Sequence, residues 1–152
     1  MTITKQDYEF MDMAESIAKT ARCMRPGRKI GAVFVRDGKV LISAACGFIA
    51  NVDAPTCDAV GGCIRKRLNI ESGTNISVCY AACAETRCVC EAARDGIPIK
   101  GATVYSTNKP CIICTRVMAT AGVSKVFYKH DYPDPNAAEV ARAVGLPIVL
   151  LS

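Results

Sequence analysis

The chain predicts an α/β fold in which a five-stranded mixed sheet is covered by helices on both faces and its last strands run parallel. Three observations carry this. An amphipathic stretch opens the chain, two β-branched runs joined by Asp-Gly come next, and the second half alternates strands with helices. Strands separated by helical stretches favour parallel pairing, because each crossover lays a helix against the sheet.

Taken in order, residues 5–22 place Tyr8, Met11, Ala14, Ile17, Ala18 and Ala21 at steps of three and four, the period of a helix with one apolar face. "KIGAVFV" and "KVLISAAC", about 29–36 and 39–46, are joined by "RDGK", and Asp-Gly between two such runs predicts a tight hairpin. From Gly47 to about Cys79 no period holds, and a structureless stretch that long inside a compact domain needs something to organise it. Residues 83–94 favour helix, ended by "DGIPI". "ATVYST" follows as a strand, "CIICTRVMATAG" as a helix closed by Gly122, and "KVFYK" as a strand. "DPNAAEVARAVG" is a helix closed by Gly145, and "PIVLL" the last strand.

With 152 residues, half of them apolar, the chain is expected to form one domain over 1–152 with a core that needs no covalent staples. No basic start leads into a long apolar run, and no apolar run approaches the length of a membrane span. A cytoplasmic protein that keeps its N-terminus and avoids membranes is expected. The net charge of +5 is spread through "CMRPGRK" and "CIRKRLN" without interleaved aromatics, which reads as a solvated basic surface and does not indicate nucleic-acid binding. Ten cysteines and one histidine, His130, in such a chain point to metal ligands and buried thiols rather than disulfides.

Spacing selects the candidates. Cys111 and Cys114 follow Pro110 at a helix start, three residues apart, so both sulfurs share one face of the first turn. Cys83 opens another helix. Helix N-termini favour thiolate over thiol, so two converging ends would supply three tetrahedral zinc ligands and leave a fourth position for water. Glu85, two residues beyond Cys83, is then placed as an acid/base, since a carboxylate beside metal-bound water can take its proton and hand it to a leaving amine.

"CAE…PCIIC" resembles the zinc deaminase signature of H-x-E or C-x-E followed by P-C-x-x-C. "IGAVFVRDGKV", "CDAVGGCIRKRLNIESG", "GATVYSTNKPCIICTRVMATAGVSKVFY" and "DYPD" are similar, in order, to deoxycytidylate (dCMP) deaminases, from about Arg22 to Asp134. The resemblance implies a cytidine-deaminase-like αβα sandwich, a hydrolytic deaminase acting on a small-molecule substrate, with dCMP to dUMP the first candidate, and a homo-oligomer, commonly a hexamer. It also implies that the amide of Ala84 helps orient the reacting ring and that Tyr132, in the loop with Pro133 and Asp134, packs against the substrate.

The chain departs from the pattern in two places. Cys83 stands where most dCMP deaminases carry histidine, so three thiolates give zinc a net −1 charge, which weakens it as a Lewis acid. Arg87, similar in position to an arginine of small cytidine deaminases, could offset this through hydrogen bonds to sulfur, or face solvent. Cys46 and Arg87 replace the two asparagines of "G-Y-N-G" and "H-A-E-x-N" that line the substrate pocket in relatives. Two rival functions therefore stay open: the same chemistry on another small ring (free base, nucleoside or other cyclic amidine), and a non-catalytic zinc module. Cys23, Cys57, Cys63 and Cys79 match cysteine positions of many dCMP deaminases and could bind a second, structural zinc that organises the long loop, or remain free thiols. Cys88 and Cys90 are expected to pack. Arg22, Arg25 and Arg28 could meet a phosphate, with no spacing that defines an anion site.

Overall fold

A computed structural model of the chain describes residues 2–23, 25, 27–47 and 56–152. Helix α1 (Lys5–Ala18) is followed by β1 (Gly31–Arg36) and β2 (Lys39–Ala45), and a short helix α2 (Ile64–Arg67) comes next. After it run α3 (Ala84–Asp95), β3 (Thr103–Asn108), α4 (Ile112–Thr120), β4 (Lys125–His130), α5 (Pro135–Val144) and β5 (Ile148–Leu150). The sheet order is β2-β1-β3-β4-β5, with β1 antiparallel to β2 and β3, and β3, β4 and β5 parallel. The five-stranded mixed sheet expected from the sequence is the one observed.

The Asp-Gly hairpin forms as the sequence predicts. Asp37 and Gly38 both take positive φ, 53° and 71°, the backbone of the tight turn whose twist matches that of the flanking strands. Strand β1 is buried on both faces and accordingly reads as a continuous apolar run. Its even and odd residues serve different layers. Val33 and Val35 join Phe10, Met11 and Ala14 of α1, with Tyr105 and Phe127 from β3 and β4. Ala32 and Phe34 join Ala84, Cys88 and Ala92 of α3 and Cys114 and Met118 of α4. Helices thus cover both faces of the sheet, completing a three-layer αβα sandwich. The backbone of α1 lies so close to β1 that a Cβ on Gly31 would sit 2.2 Å from the Ala14 carbonyl oxygen, so only glycine fits there.

Helix α1 stops at Ala18, four residues short of the stretch with helical period. The two residues after the cap are held in turns by the Thr20 and Ala21 amides bonding to the Ile17 and Ala18 carbonyls. In the long connection between β2 and α3, positions 48–55 lie outside the described residues. The remainder has structure that showed no period because each piece is short: 3-10 turns at Cys57–Val60 and Ile76–Val78, and the single-turn α2.

Candidate active site

Cys83 and Cys111 occupy the N-cap positions of α3 and α4, and Cys114 sits one turn into α4. Both helix starts are held against the C-terminal end of β3, the edge where open α/β sheets collect ligands. Asp134 fixes the α4 start from another direction. Its Oδ2 accepts from the Ile112 amide at 2.8 Å while its Oδ1 accepts from the Ala137 amide at 3.3 Å, so one buried carboxylate caps α4 and α5 together.

The Cys83, Cys111 and Cys114 sulfurs all lie within 4.8 Å of one another, the one such group of potential metal ligands among the described residues. Three sulfurs each ~2.3 Å from a tetrahedral ion are separated by roughly 3.8 Å, so this donor set suits zinc and leaves a fourth position free. Among the three sulfurs themselves, one thiolate is shared by two thiols. Hydrogen bonds from Cys114 and Cys83 hold the Cys111 pKa down to about 3, and the same bonds leave Cys83 and Cys114 well above the usual thiol range.

Glu85 is 3% exposed, on the first turn of α3. Burial raises its pKa from 4.5 to about 7, against lowering by hydrogen bonds that include one from Ser106. The Ser106 hydroxyl donates to Glu85 Oε1 at 2.9 Å, and the Cys114 thiol lies 3.5 Å from Oε2. Ser106 reaches Glu85 because it is two residues beyond Val104 on β3, hence on the same face of the strand toward α3 and α4. Thr86 places its hydroxyl 3.4 Å from Cys114 Sγ. The sequence reading named neither Ser106 nor Thr86; the period-2 parity of β3 with Val104 was the signal that could have found Ser106.

A cavity of about 220 Å3 opens onto this cluster. Cys46 and Tyr132 line it, as do Ile30, Ile76 and Ile113. Tyr132 is fixed from both ends: Arg28 lies over its ring at 5.0 Å, and its hydroxyl accepts from the Gly73 amide at 3.1 Å. Cys46 is held in the wall, donating to the Arg28 carbonyl at 2.9 Å and accepting from the Ile30 amide at 3.3 Å. Arg25 and Arg28 also line the cavity.

Arg87 is not among the lining residues; its Nη1 donates to the Ala45 carbonyl at 2.7 Å and its Nε and Nη2 to Glu91 Oε1, so α3 turns it toward the end of β2 and away from the sulfurs. The Ala84 side chain is fully buried in the core. The Ala84 amide itself lies at the first position of α3.

Cys23, Cys57, Cys63 and Cys79 are not brought into a metal-ligating group. The organiser of their loop is Arg65, 5% exposed, which donates to the carbonyls of Asn75 (2.9 Å), Glu71 (2.6 Å) and Thr74 (2.8 Å). One guanidinium so closes the turn that Glu71, Thr74 and Asn75 form. The loop then docks on the β4–α5 connection, where a Cβ on Gly73, at φ +81°, would collide with the Pro133 carbonyl oxygen at 2.0 Å. Cys88 packs in the core as expected, whereas Cys90 is exposed.

Comparison with known proteins bears on this geometry. The family described as the cytidine and deoxycytidylate deaminase zinc-binding region matches residues 4–130. The chain is 29% identical over 143 residues to a deoxycytidylate deaminase of Schizosaccharomyces pombe, covering 93% of this chain and 42% of that protein. It therefore spans about two fifths of that relative's length. It is 30% identical over 127 residues to the deoxycytidylate deaminase of Mycobacterium phage D29, covering 82% of this chain and 94% of the phage protein. The crystal structure of the cyanophage S-TIM5 dCMP deaminase in complex with dCMP and dUMP superposes with a TM-score of 0.78 at 23% identity, over 99% of this chain and 100% of that one. No helix of the described residues is long and apolar enough to cross a membrane. A match spanning most of the sequence settles the relationship: the chain belongs to the cytidine and deoxycytidylate deaminase family.

Proposed function

We propose that the chain is a zinc-dependent hydrolytic deaminase of an amino-substituted heterocycle, with dCMP, converted to dUMP, as the first substrate candidate. The observation that carries this reading is the burial of Glu85 beside three converging sulfurs at an open cavity. A closed structural zinc site has a fourth protein ligand and no use for a carboxylate held in reserve, which argues against a non-catalytic module.

Cys83, Cys111 and Cys114 would hold one zinc per chain, and bound zinc supplies Lewis-acid activation of water. Glu85 takes a proton from the attacking water and delivers it to the departing nitrogen. The ring carbon gains oxygen, the bond to the amine breaks, and ammonia leaves. Glu85 stands where both transfers need it, buried beside the sulfurs at the cavity with Oε2 directed toward Cys114. Ser106 keeps one carboxylate oxygen in place, leaving Oε2 for the proton. The apolar wall of Ile30, Ile76 and Ile113 excludes water around the ring, and Tyr132 supplies a packing surface. A homo-oligomer located in the cytoplasm is part of the same proposal, on the resemblance of the sequence to deoxycytidylate deaminases.

A second reading keeps the chemistry but changes the ring. Cys46 spends its hydrogen-bonding capacity on Arg28 and Ile30, and Arg87 on Ala45 and Glu91, so neither position offers the polar contact that asparagine gives in relatives. A free base, nucleoside or other cyclic amidine would lose less from that change than dCMP. An ammonia-release screen over amino-pyrimidines, amino-purines and other cyclic amidines, each with and without phosphate, decides between the two. The expected result is turnover of at least one such ring by protein holding one zinc per chain; zinc-free protein with full activity would overturn the proposal.

A further inference from the structure

We propose that Thr86 and Ser106 are positioning residues whose hydroxyls compensate the extra negative charge of an all-cysteine zinc site. The inference rests on the reading that Cys83, Cys111 and Cys114 hold zinc.

Three thiolates and the Glu85 carboxylate bring four negative charges to a divalent ion, in a pocket where Cys114 and Glu85 are buried. Replacing a neutral histidine by Cys83 adds one of those charges. The cation that the sequence offered for it, Arg87, is committed to Ala45 and Glu91. What reaches the cluster besides the Ile113 and Cys114 amides at Cys111 and the Glu85 amide at its own carboxylate is a pair of side-chain hydroxyls, one at a sulfur and one at a carboxylate oxygen.

Their donor directions follow from the chemistry of the loaded site. Between Thr86 Oγ1 and Cys114 Sγ, 3.4 Å apart, either atom could donate while the thiol keeps its proton. A metal-bound sulfur has none, so Thr86 must be the donor. Loss of that same proton also removes the bond from Cys114 to Glu85 Oε2, at 3.5 Å, and sets two negative atoms against each other. Ser106, fully buried and 2.9 Å from Oε1, then remains the side-chain donor that holds the carboxylate beside the sulfur. Thr86 thus lowers the charge on the ligand set, and Ser106 holds the acid/base against its repulsion. Outer partners of metal ligands are worth 10–100-fold in metal affinity, which is the size of effect to look for.

The test uses the purified zinc-loaded protein and competition with a chromophoric chelator. Thr86→Val, close in shape but without the hydroxyl, should bind zinc roughly 10–100-fold more weakly than the parent. Thr86→Ser, which restores the hydroxyl, should recover most of that loss. In cobalt-substituted protein the sulfur-to-metal charge-transfer band should move to longer wavelength in Thr86→Val, because a thiolate without its donor gives up electrons more easily. Ser106→Ala should leave zinc affinity at the parent value yet lower kcat about tenfold or more at unchanged KM. Equal zinc affinity and an unmoved cobalt band in Thr86→Val would overturn the proposal. A parent protein that fails to retain zinc overturns instead the zinc reading beneath it, so the two failures are told apart by the parent measurement alone.

Discussion

Two thiol-rich regions sit side by side in this protein, and only one of them converges. Cys83, Cys111 and Cys114 ride on the first turns of α3 and α4, helices of 12 and 9 residues packed on the sheet. Cys57, Cys63 and Cys79 ride on a four-residue 3-10 turn, the cap of a four-residue helix and the end of a three-residue one. The second group is near enough for its charges to interact: burial, then Cys79, Cys63 and Cys23, raises the Cys57 pKa. It still forms no metal-ligating set. A sulfur is aimed by the element that carries it, and a packed helix translates residue spacing into fixed geometry where short turns leave spacing without direction.

The sharpest way to test that contrast is at the converging site. Glu85→Gln should keep zinc and fold while turnover drops by ~10²–10⁴-fold or beyond, because the amide can bond to water but cannot carry its proton to the leaving nitrogen. Zinc analysis and ammonia release on one sample would check it, and near-normal turnover in a zinc-replete variant would make the site structural. The same variant bears on stability. Glu85 titrates near 7 in the folded, metal-free chain against 4.5 unfolded, so the folded state binds the extra proton between those values. Its contribution is fully present below about pH 4.5 and lost as pH rises through 7. At about 1.4 kcal/mol per pH unit the loss is about 3 kcal/mol; the Cys111 thiolate contributes a slope of opposite sign over the same range, so in denaturation of metal-free protein Glu85→Gln should fall less in stability, or rise more, across pH 4.5–8 than the parent.

In the other region the contrast predicts that an arginine, not the thiols, holds the loop. Arg65→Met should cost about 1–3 kcal/mol, since three carbonyls of a part-buried turn lose their donor. Chemical denaturation would measure it, and a cost under ~0.5 kcal/mol would return the loop to some other organiser. The smallest effect is expected for Cys63→Ser, at most ~1 kcal/mol with zinc content unchanged at one per chain. Loss of metal together with stability in that variant would erase the difference between the two regions.

Much of the site was legible in the linear sequence because its chemistry obeys local rules. Pro110 before Cys111, the three-residue step to Cys114 and the two-residue step from Cys83 to Glu85 each fix a direction within one helical turn. What escaped the sequence depends on partners far along the chain. Ser106 meets Glu85 across 21 residues, Asp134 reaches the Ile112 amide across 22, and Arg87 finds the Ala45 carbonyl across 42. Arg65 illustrates the same limit at shorter range. Its neighbours Lys66 and Arg67 are exposed, and nothing in "IRKR" marks the residue that a turn folds over.

The sequence by itself determined the element types, the antiparallel hairpin, the parallel second half and the helix starts that carry sulfur. Apolar period, Asp-Gly turn chemistry and helix-end signals act within a few residues, so they survive without a fold. The tertiary structure alone decided which hydroxyls face the sulfur and the carboxylate, where each arginine goes and which cysteines meet. Those outcomes depend on the phase of a helix against a sheet and on the desolvation of groups brought together. Glu85 shows the division most clearly: its position relative to Cys83 is local, while its pKa near 7 exists only because three layers of chain close over it.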